Sequence, residues 1–252
     1  MTIEWRTKRQ LTFLGFFLAI ILIIAGITIY IFLPAPSCMD RRLNQGEEQV
    51  DCGGLYCAPC LTEKPDDLIV LWSRMFEVRP GVYDVAAFID NVNLTIGSPD
   101  VKYVFELYDA EGNRIVSRSG STYVLPHKQF LAFQANLETG IRVPKRVAFH
   151  LDPVTWELMD EQTLPVSVSR TNRQFESDRP RLIATLTNSS LHDVRNLDVA
   201  VVISGRQDSA IAVSTTHVDK VPDSGMAEIA FTWPHPFSQS VADVKLFIQQ
   251  KP

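Results

Sequence analysis

The sequence predicts a mainly β protein with an N-terminal transmembrane helix, a small disulfide-rich segment and two β-sandwiches in tandem. Three observations predict it. Residues 11–33, LTFLGFFLAIILIIAGITIYIFL, form a run of 23 without Asp, Glu, Lys or Arg. All four cysteines lie within the 24 residues 37–60. From Asp66 onward, short stretches alternating apolar with polar residues succeed one another between turn residues, and helical periodicity is absent.

The apolar run is the first element. At about 1.5 Å per residue it spans a hydrocarbon core of about 30 Å. It has no polar face, which a core helix of a soluble protein needs, and it exceeds the ~7–15 apolar residues of a cleaved signal peptide. Ala35, Pro36 and Ser37 before Cys38 make a poor lipoprotein signal, because Pro interrupts the site and Ala stands where Leu is usual. Arg6, Lys8 and Arg9 precede the span against one acid, Glu4, whereas Arg41 and Arg42 follow it among four acids. Basic residues stay on the cytoplasmic side. The expectation is a single-pass cell-membrane protein with residues 1–10 as a cytoplasmic tail, the bilayer as partner of residues 11–33, and everything later extracytoplasmic. The formal charge is −5, of which residues 1–10 carry +2, leaving −7 outside. A mildly acidic chain of this kind has no electrostatic footprint for nucleic acid.

Residues 34–64 read as a Pro-rich stalk followed by the cysteine segment. Outside a membrane an even cysteine count reads as disulfides, so Cys38, Cys52, Cys57 and Cys60 are expected to form two, with all three pairings open. A four-sulfur zinc site is the competing arrangement, but only one C-x-x-C knuckle is present. A redox site would need a strand-to-helix setting that Pro59 and its neighbours do not offer. So small a segment buries too little surface to hold itself without such staples. Asp40, Asn44, Glu47 and Asp51 place four hard oxygen ligands within 12 residues. Calcium takes such ligands, although the spacing is not that of an EF-hand. The competing assignment is acids that cap their own turns.

Residues 66–160 are expected to form the first sandwich. Its clearest strand covers 101–108, with Val101, Tyr103, Phe105 and Leu107 on one face and Lys102, Val104, Glu106 and Tyr108 on the other. DAEGN at 109–113 reads as a hairpin loop with Gly112 available for positive φ. Further strands are expected at 68–78, 82–90, 114–118, 129–135 and 145–151. The boundary falls near 153–165, where alternation fades. Residues 163–252 then carry strands at 165–175, 180–187, 196–204, 209–218, 225–232 and 241–249, with Leu197, Val199, Val201 and Ile203 sharing a face. The two sets look like copies: Asn91 stands opposite Asn188, Pro126 opposite Pro222 and Phe133 opposite Phe231, at offsets of 97, 96 and 98.

FELYD at 105–109, with the Asn-containing strand before it and the AEGN turn after it, resembles the FxLYD domain family. The resemblance implies small immunoglobulin-like β-sandwiches on prokaryotic envelope proteins with no catalytic role. Phe105 and Leu107 would face the core, Tyr108 would cover the opposite face or the sheet edge, and Asp109 would open the turn. In the second sandwich VVISG at 201–205 replaces the motif. The cysteine segment is similar to a module of prokaryotic surface proteins, C-x-D-G-x-x-N-x-x-E-x-x-x-D-C-G-G-x-C-x-x-C. Cys38, Asp40, Asn44, Glu47, Asp51, Cys52, Gly53, Gly54, Cys57 and Cys60 follow its order. Arg41 replaces a usual Gly, and Leu55-Tyr56 replaces a single residue.

No catalytic constellation is legible. His127, His150, His192, His217 and His235 are scattered, and no nucleophile elbow, phosphate loop or zinc-protease motif occurs. The chain is therefore expected not to be an enzyme and to need no cofactor, calcium aside. FTWPHPF at 231–237 reads as the end of a core strand stopped by Pro234. Alternatively, Trp233 and Phe237 form a platform for a carbohydrate or peptide ligand. The sequons at Asn93 and Asn188 read as turn residues. Together these readings describe a membrane-anchored, outward-facing envelope protein whose sandwiches serve as spacers and contact other envelope proteins; the alternative is a ligand-binding receptor or sensor subunit.

Overall fold

The structure, a computed structural model, describes residues 5–32, 37–57, 59–61, 64–159 and 163–251. Residues 1–4, the stalk residues 33–36 with the end of the expected span, and 160–162 of the expected boundary lie outside the described residues. The chain divides into two compact units, Met1–Cys60 and Leu61–Pro252.

In the first unit α1 runs Trp5–Phe32, 28 residues or about 42 Å of helix. It begins inside the expected tail, because nothing between Trp5 and Gln10 breaks a helix. Every side chain from 8 to 26 is exposed. The hydroxyls of Thr12 and Thr28 need no outside partner: Thr12 donates to the Lys8 carbonyl at 2.9 Å and Thr28 to that of Ile24 at 2.7 Å. Such i−4 bonding is how hydroxyls are satisfied where no water is present. By length and composition α1 is able to cross a membrane.

The cysteine segment holds turns and one isolated bridge, Gln49 to Cys52. Its disulfides join Cys38 to Cys57 and Cys52 to Cys60. The two glycines after Cys52 have steric causes. Both take positive φ, and a Cβ on Gly54 would lie 2.2 Å from the Gly46 carbonyl oxygen. Arg41, standing where the similar module has Gly, also takes a left-handed φ of 60°.

The second unit is four sheets in two pairs. In the first sandwich, β1 (Ile69–Arg79), β2 (Val82–Asp90) and β5 (Gln129–Glu138) form one sheet in the order β1-β2-β5. The facing sheet is β4 (Arg114–Val124), β3 (Ile96–Tyr108) and β6 (Arg146–Leu151), ordered β4-β3-β6, with the short β7 (Glu157–Leu158) pairing to the start of β3. The second sandwich repeats this order with β8 (Val166–Gln174), β9 (Arg181–Asn188) and β12 (Met226–Thr232), opposite β11 (Ala210–Val221), β10 (Val194–Ser204) and β13 (Asp243–Gln250). All these pairings are antiparallel. The DAEGN loop closes as expected: the Asp109 N–H donates to the Asn113 carbonyl at 3.0 Å and Gly112 has φ 83°.

Each sandwich has its own core. Val101, Tyr103, Phe105 and Leu107 of β3 are at most 3% exposed, and Leu197, Val199, Val201 and Ile203 of β10 are fully buried. The repeat holds in register. Ala86 pairs with Phe133 as Ile183 pairs with Ala230, a constant offset of 97. This corrects the expected match of Phe133 with Phe231, since Phe133 occupies the place of Ala230. A slip of one residue turns a side chain to the other face. Phe231 accordingly fills its own core, whereas Phe133 points away from its own.

What covers Phe133 is the other sandwich. Outward residues of β1, β2 and β5, including Trp72, Phe76, Ala86 and Leu131, meet Val202, Ala210, Val213 and Phe247 from β10, β11 and β13 in a third apolar cluster. Phe88 bridges the rings of Trp72 and Phe247, at centroid distances of 5.7 and 5.0 Å. Arg74 donates across the junction to the Ser209 hydroxyl and the Ala210 carbonyl, and Tyr123 to the Asp198 carboxylate at 3.0 Å. The tandem copies thus lie side by side, sheet against sheet, as one block.

Candidate functional site

The cysteine segment is tied up with itself. One Asp40 oxygen accepts the Arg42 N–H and the other accepts Asn44 Nδ2, both at 2.8 Å; Ser37 N–H adds a longer bond. Burial pushes the Asp40 carboxyl up, but the bonds from Asn44, Arg42 and Ser37 together hold it below its ordinary value. Both Asp51 oxygens accept the Arg41 N–H, at 2.9 and 3.0 Å, and Glu47 accepts the N–H groups of Asn44 and Asp51 at 3.2 Å. The carboxylates of Asp40, Glu47 and Asp51 are thereby engaged as caps of their own turns, whereas Asn44 Oδ1 is buried without a hydrogen-bond partner. The sulfurs of Cys38 and Cys57 lie near the Glu47 carboxylate but are bonded to each other.

The FELYD stretch builds a polar network on the outer face of β3. Glu106 accepts the Tyr108 hydroxyl at 2.6 Å and pairs with Arg114, and His150 stands 3.7 Å away. The hydrogen bonds from Tyr108 and then Arg114 hold Glu106 below its ordinary value. Arg146 lies over the Tyr108 ring at 4.1 Å. Asp109 caps the turn by accepting the Asn113 N–H at 2.7 Å and is paired with Arg142, whose hydrogen bond lowers its titration point. These groups hold a hairpin and do not converge on a cavity.

The aromatic stretch 231–237 divides. Phe231 is 1% exposed in the core. Trp233 and Phe237 are half-buried, stacked edge to face at 5.2 Å, and Phe175 joins them. The Trp233 Nε1–H is committed to the Val213 carbonyl at 3.1 Å, which fixes the ring. Beyond the rings, Pro234, His235 and Pro236 are exposed. The core-ending and platform assignments therefore each describe part of the stretch: the rings close the end of the second core and also wall two open clefts. One, of about 760 Å³, runs along the junction past Arg74, Phe76, Asp84 and Ser209. The other, about 810 Å³, is lined by Arg79, Arg179, Arg181, Asn136 and His235 with Trp233 between them.

The three arginines are the site residues that pattern reading missed. Two Arg-Pro pairs, at 79–80 where β1 ends and at 179–180 just before β9, are the only local signal they leave. Pro180 is buried, its carbonyl accepts the Trp233 N–H at 2.9 Å, and Arg179 and Arg181 stand exposed on either side. The five histidines remain apart. His217 sits 2.8 Å from Asp198 beside the junction, His150 is by Glu106, and His235 is in the cleft. Of the sequons, Asn188 is 1% exposed with its amide committed to backbone carbonyls.

No family model matches the chain, and no curated protein matches it. Among solved structures it is similar to red sea bream transglutaminase, at 15% identity over 72% of this chain and 29% of that one, TM-score 0.25. It is also similar to a β-glucuronidase from glycoside hydrolase family 2, at 11% identity over 68% of this chain and 24% of that one, TM-score 0.25. This chain spans under a third of the length of either, and likeness at that level carries no argument about fold or function.

Proposed function

We propose that this is a single-pass, prokaryotic cell-envelope protein with a cytoplasmic N-terminus, whose paired sandwiches stand outside as one non-catalytic interaction block. The observation that carries this reading is α1, exposed and apolar on every side from 11 to 26, which a water-soluble fold does not tolerate. Two disulfides immediately after it agree with an oxidising compartment. The FELYD residues take the positions that the FxLYD resemblance implies, with Phe105 and Leu107 in the core and Asp109 at the turn. The scattered histidines and the carboxylates spent on turns support a binding role over a catalytic one. A short spacer is still the natural use of such a body, but the shared junction makes it one thick module in place of two linked beads.

Protease treatment of sealed, right-side-out vesicles tests the topology. Complete protection of the sandwiches from external protease would place them on the inner side and overturn the reading. Crosslinking in the native membrane then identifies the proteins the block touches. The receptor reading is favoured by one observation, the arginine-lined groove at Trp233.

A further inference from the structure

The groove at Trp233 departs in charge from the chain that contains it. The extracytoplasmic part carries a formal −7, yet Arg79, Arg179, Arg181 and His235 converge here and, among the described residues, no acid lines the groove. Glu77 and Asp84 belong to the adjoining cleft. The three arginine side chains make no ion pair or hydrogen bond among the described residues. Their backbone is nonetheless held. Ser177 Oγ donates to the Arg179 carbonyl at 2.7 Å, and the Pro180 carbonyl is bonded to Trp233 N–H. Three guanidinium groups on a fixed frame beside a fixed indole make an arrangement whose charge no described residue pairs.

We propose that this groove binds an anionic polysaccharide, the arginines pairing its carboxylate or phosphate groups and Trp233 covering the apolar CH face of a sugar ring. A guanidinium presents a planar fork that matches either anion bidentately. A ring held edge to face by Phe175 and Phe237 offers an apolar surface at small entropic cost. An acidic polypeptide fits less well. Extended peptides bind by adding to a strand edge through backbone N–H donors, and Pro180, Pro234 and Pro236 have none. Nucleic acid is disfavoured by the acidity of the whole chain. The inference rests on the outward-facing reading only for where such a polymer is met.

The test is titration of the detergent-solubilised full-length protein with polygalacturonate, phosphomannan, neutral dextran and poly-L-glutamate. Binding of polygalacturonate or phosphomannan, without dextran and above poly-L-glutamate, is expected, and whichever of the two binds tighter identifies the anion. The triple substitution Arg79→Ala, Arg179→Ala, Arg181→Ala is expected to weaken that binding by about tenfold or more, as the loss of charged hydrogen bonds requires. Its melting temperature should hold, since the three side chains are exposed and make no hydrogen bond or ion pair among the described residues. Raising salt should weaken wild-type binding as well. No binding by the wild type, equal binding of poly-L-glutamate, or a triple variant that binds normally each overturns the inference. None of these outcomes bears on membrane topology, and an inward-facing sandwich pair in the vesicle experiment leaves the titration intact.

Discussion

Asn91 and Asn188 occupy the same place in the two sandwiches and do the same thing there. Each is at most 1% exposed, at the end of the second strand of its copy. Asn91 Nδ2 donates to the carbonyls of Ile96 and Leu125, both at 2.9 Å. Asn188 Nδ2 donates to those of His192 at 2.7 Å and Pro222 at 3.0 Å. Both side-chain oxygens accept the N–H two residues on, from Asn93 and Ser190. One buried amide thus joins two loops of the sandwich.

Replacing Asn91 by Ala removes the amide donor from two buried carbonyls, and replacing Asn188 removes it from the buried Val221 carbonyl and the part-buried ones of His192 and Pro222, so each substitution is expected to cost about 2–4 kcal/mol. Asp in place of Asn turns an acceptor toward those carbonyls and is expected to cost more than Ala. Urea denaturation followed by tryptophan fluorescence measures both. A cost below that of an ordinary surface substitution would show that the loops do not depend on the amide.

Phe88 holds the junction while belonging to neither sandwich core. Phe88→Ala is expected to cost about 2–3 kcal/mol, below the range for a fully enclosed phenylalanine because the ring is half-buried. It should also uncouple the block, so that one calorimetric transition becomes two. Tyr123→Phe, which removes the bond to Asp198, is expected to cost about 1 kcal/mol without splitting the transition. A single unshifted transition in Phe88→Ala would exclude the junction as a source of cooperativity.

The polar face of β3 predicts a pH dependence. Tyr108 and Arg114 lower the titration point of Glu106, and Arg142 lowers that of Asp109. A carboxyl whose folded value lies below its unfolded value stabilises the fold above the unfolded value, and the gain disappears as pH falls through the folded one. Stability of the first sandwich should therefore decline as pH drops below about 4.5, the ordinary value for Glu. Glu106→Gln should flatten that decline and leave neutral-pH Arg114 contacts weaker. Melting curves between pH 7 and pH 3 supply the comparison.

In the cysteine segment, peptide mapping without reduction is expected to recover Cys38 with Cys57 and Cys52 with Cys60. Calcium should leave the melting profile unchanged, because the carboxylates of Asp40, Glu47 and Asp51 already face N–H donors; a clear upward shift would instead favour the metal. Arg41→Gly relieves a left-handed residue and should be neutral or stabilising by up to about 1 kcal/mol.

Most strands were legible in the sequence, because period-two alternation is a local consequence of pleating. Val101 to Leu107 and Leu197 to Ile203 identify their buried faces without knowledge of any partner. The apolar run of α1, the DAEGN hairpin and the Asn91–Asn188 correspondence were legible for the same reason. The match of Phe133 to Phe231 misled because similarity of type says nothing about side, and one residue of slip reverses it. The stretches VAAF in β2 and VAVVIS in β10, apolar on both faces, did carry the signal of a second burial.

By itself the sequence determined the period and order of most elements, since alternation depends on neighbours a few residues apart, but not their lengths: β4 runs to Val124 and β3 begins at Ile96. Only the tertiary structure decided what covers the outer faces of β2 and β10, which of three cysteine pairings forms, and that Arg79 lies beside Arg179 and Arg181. Those are distances between residues separated by loops or by about a hundred positions along the chain. Chain connectivity leaves such distances free; the packing of one sandwich on the other sets those of the strand faces and the arginines, and the turns of residues 37–60 set those of the cysteines.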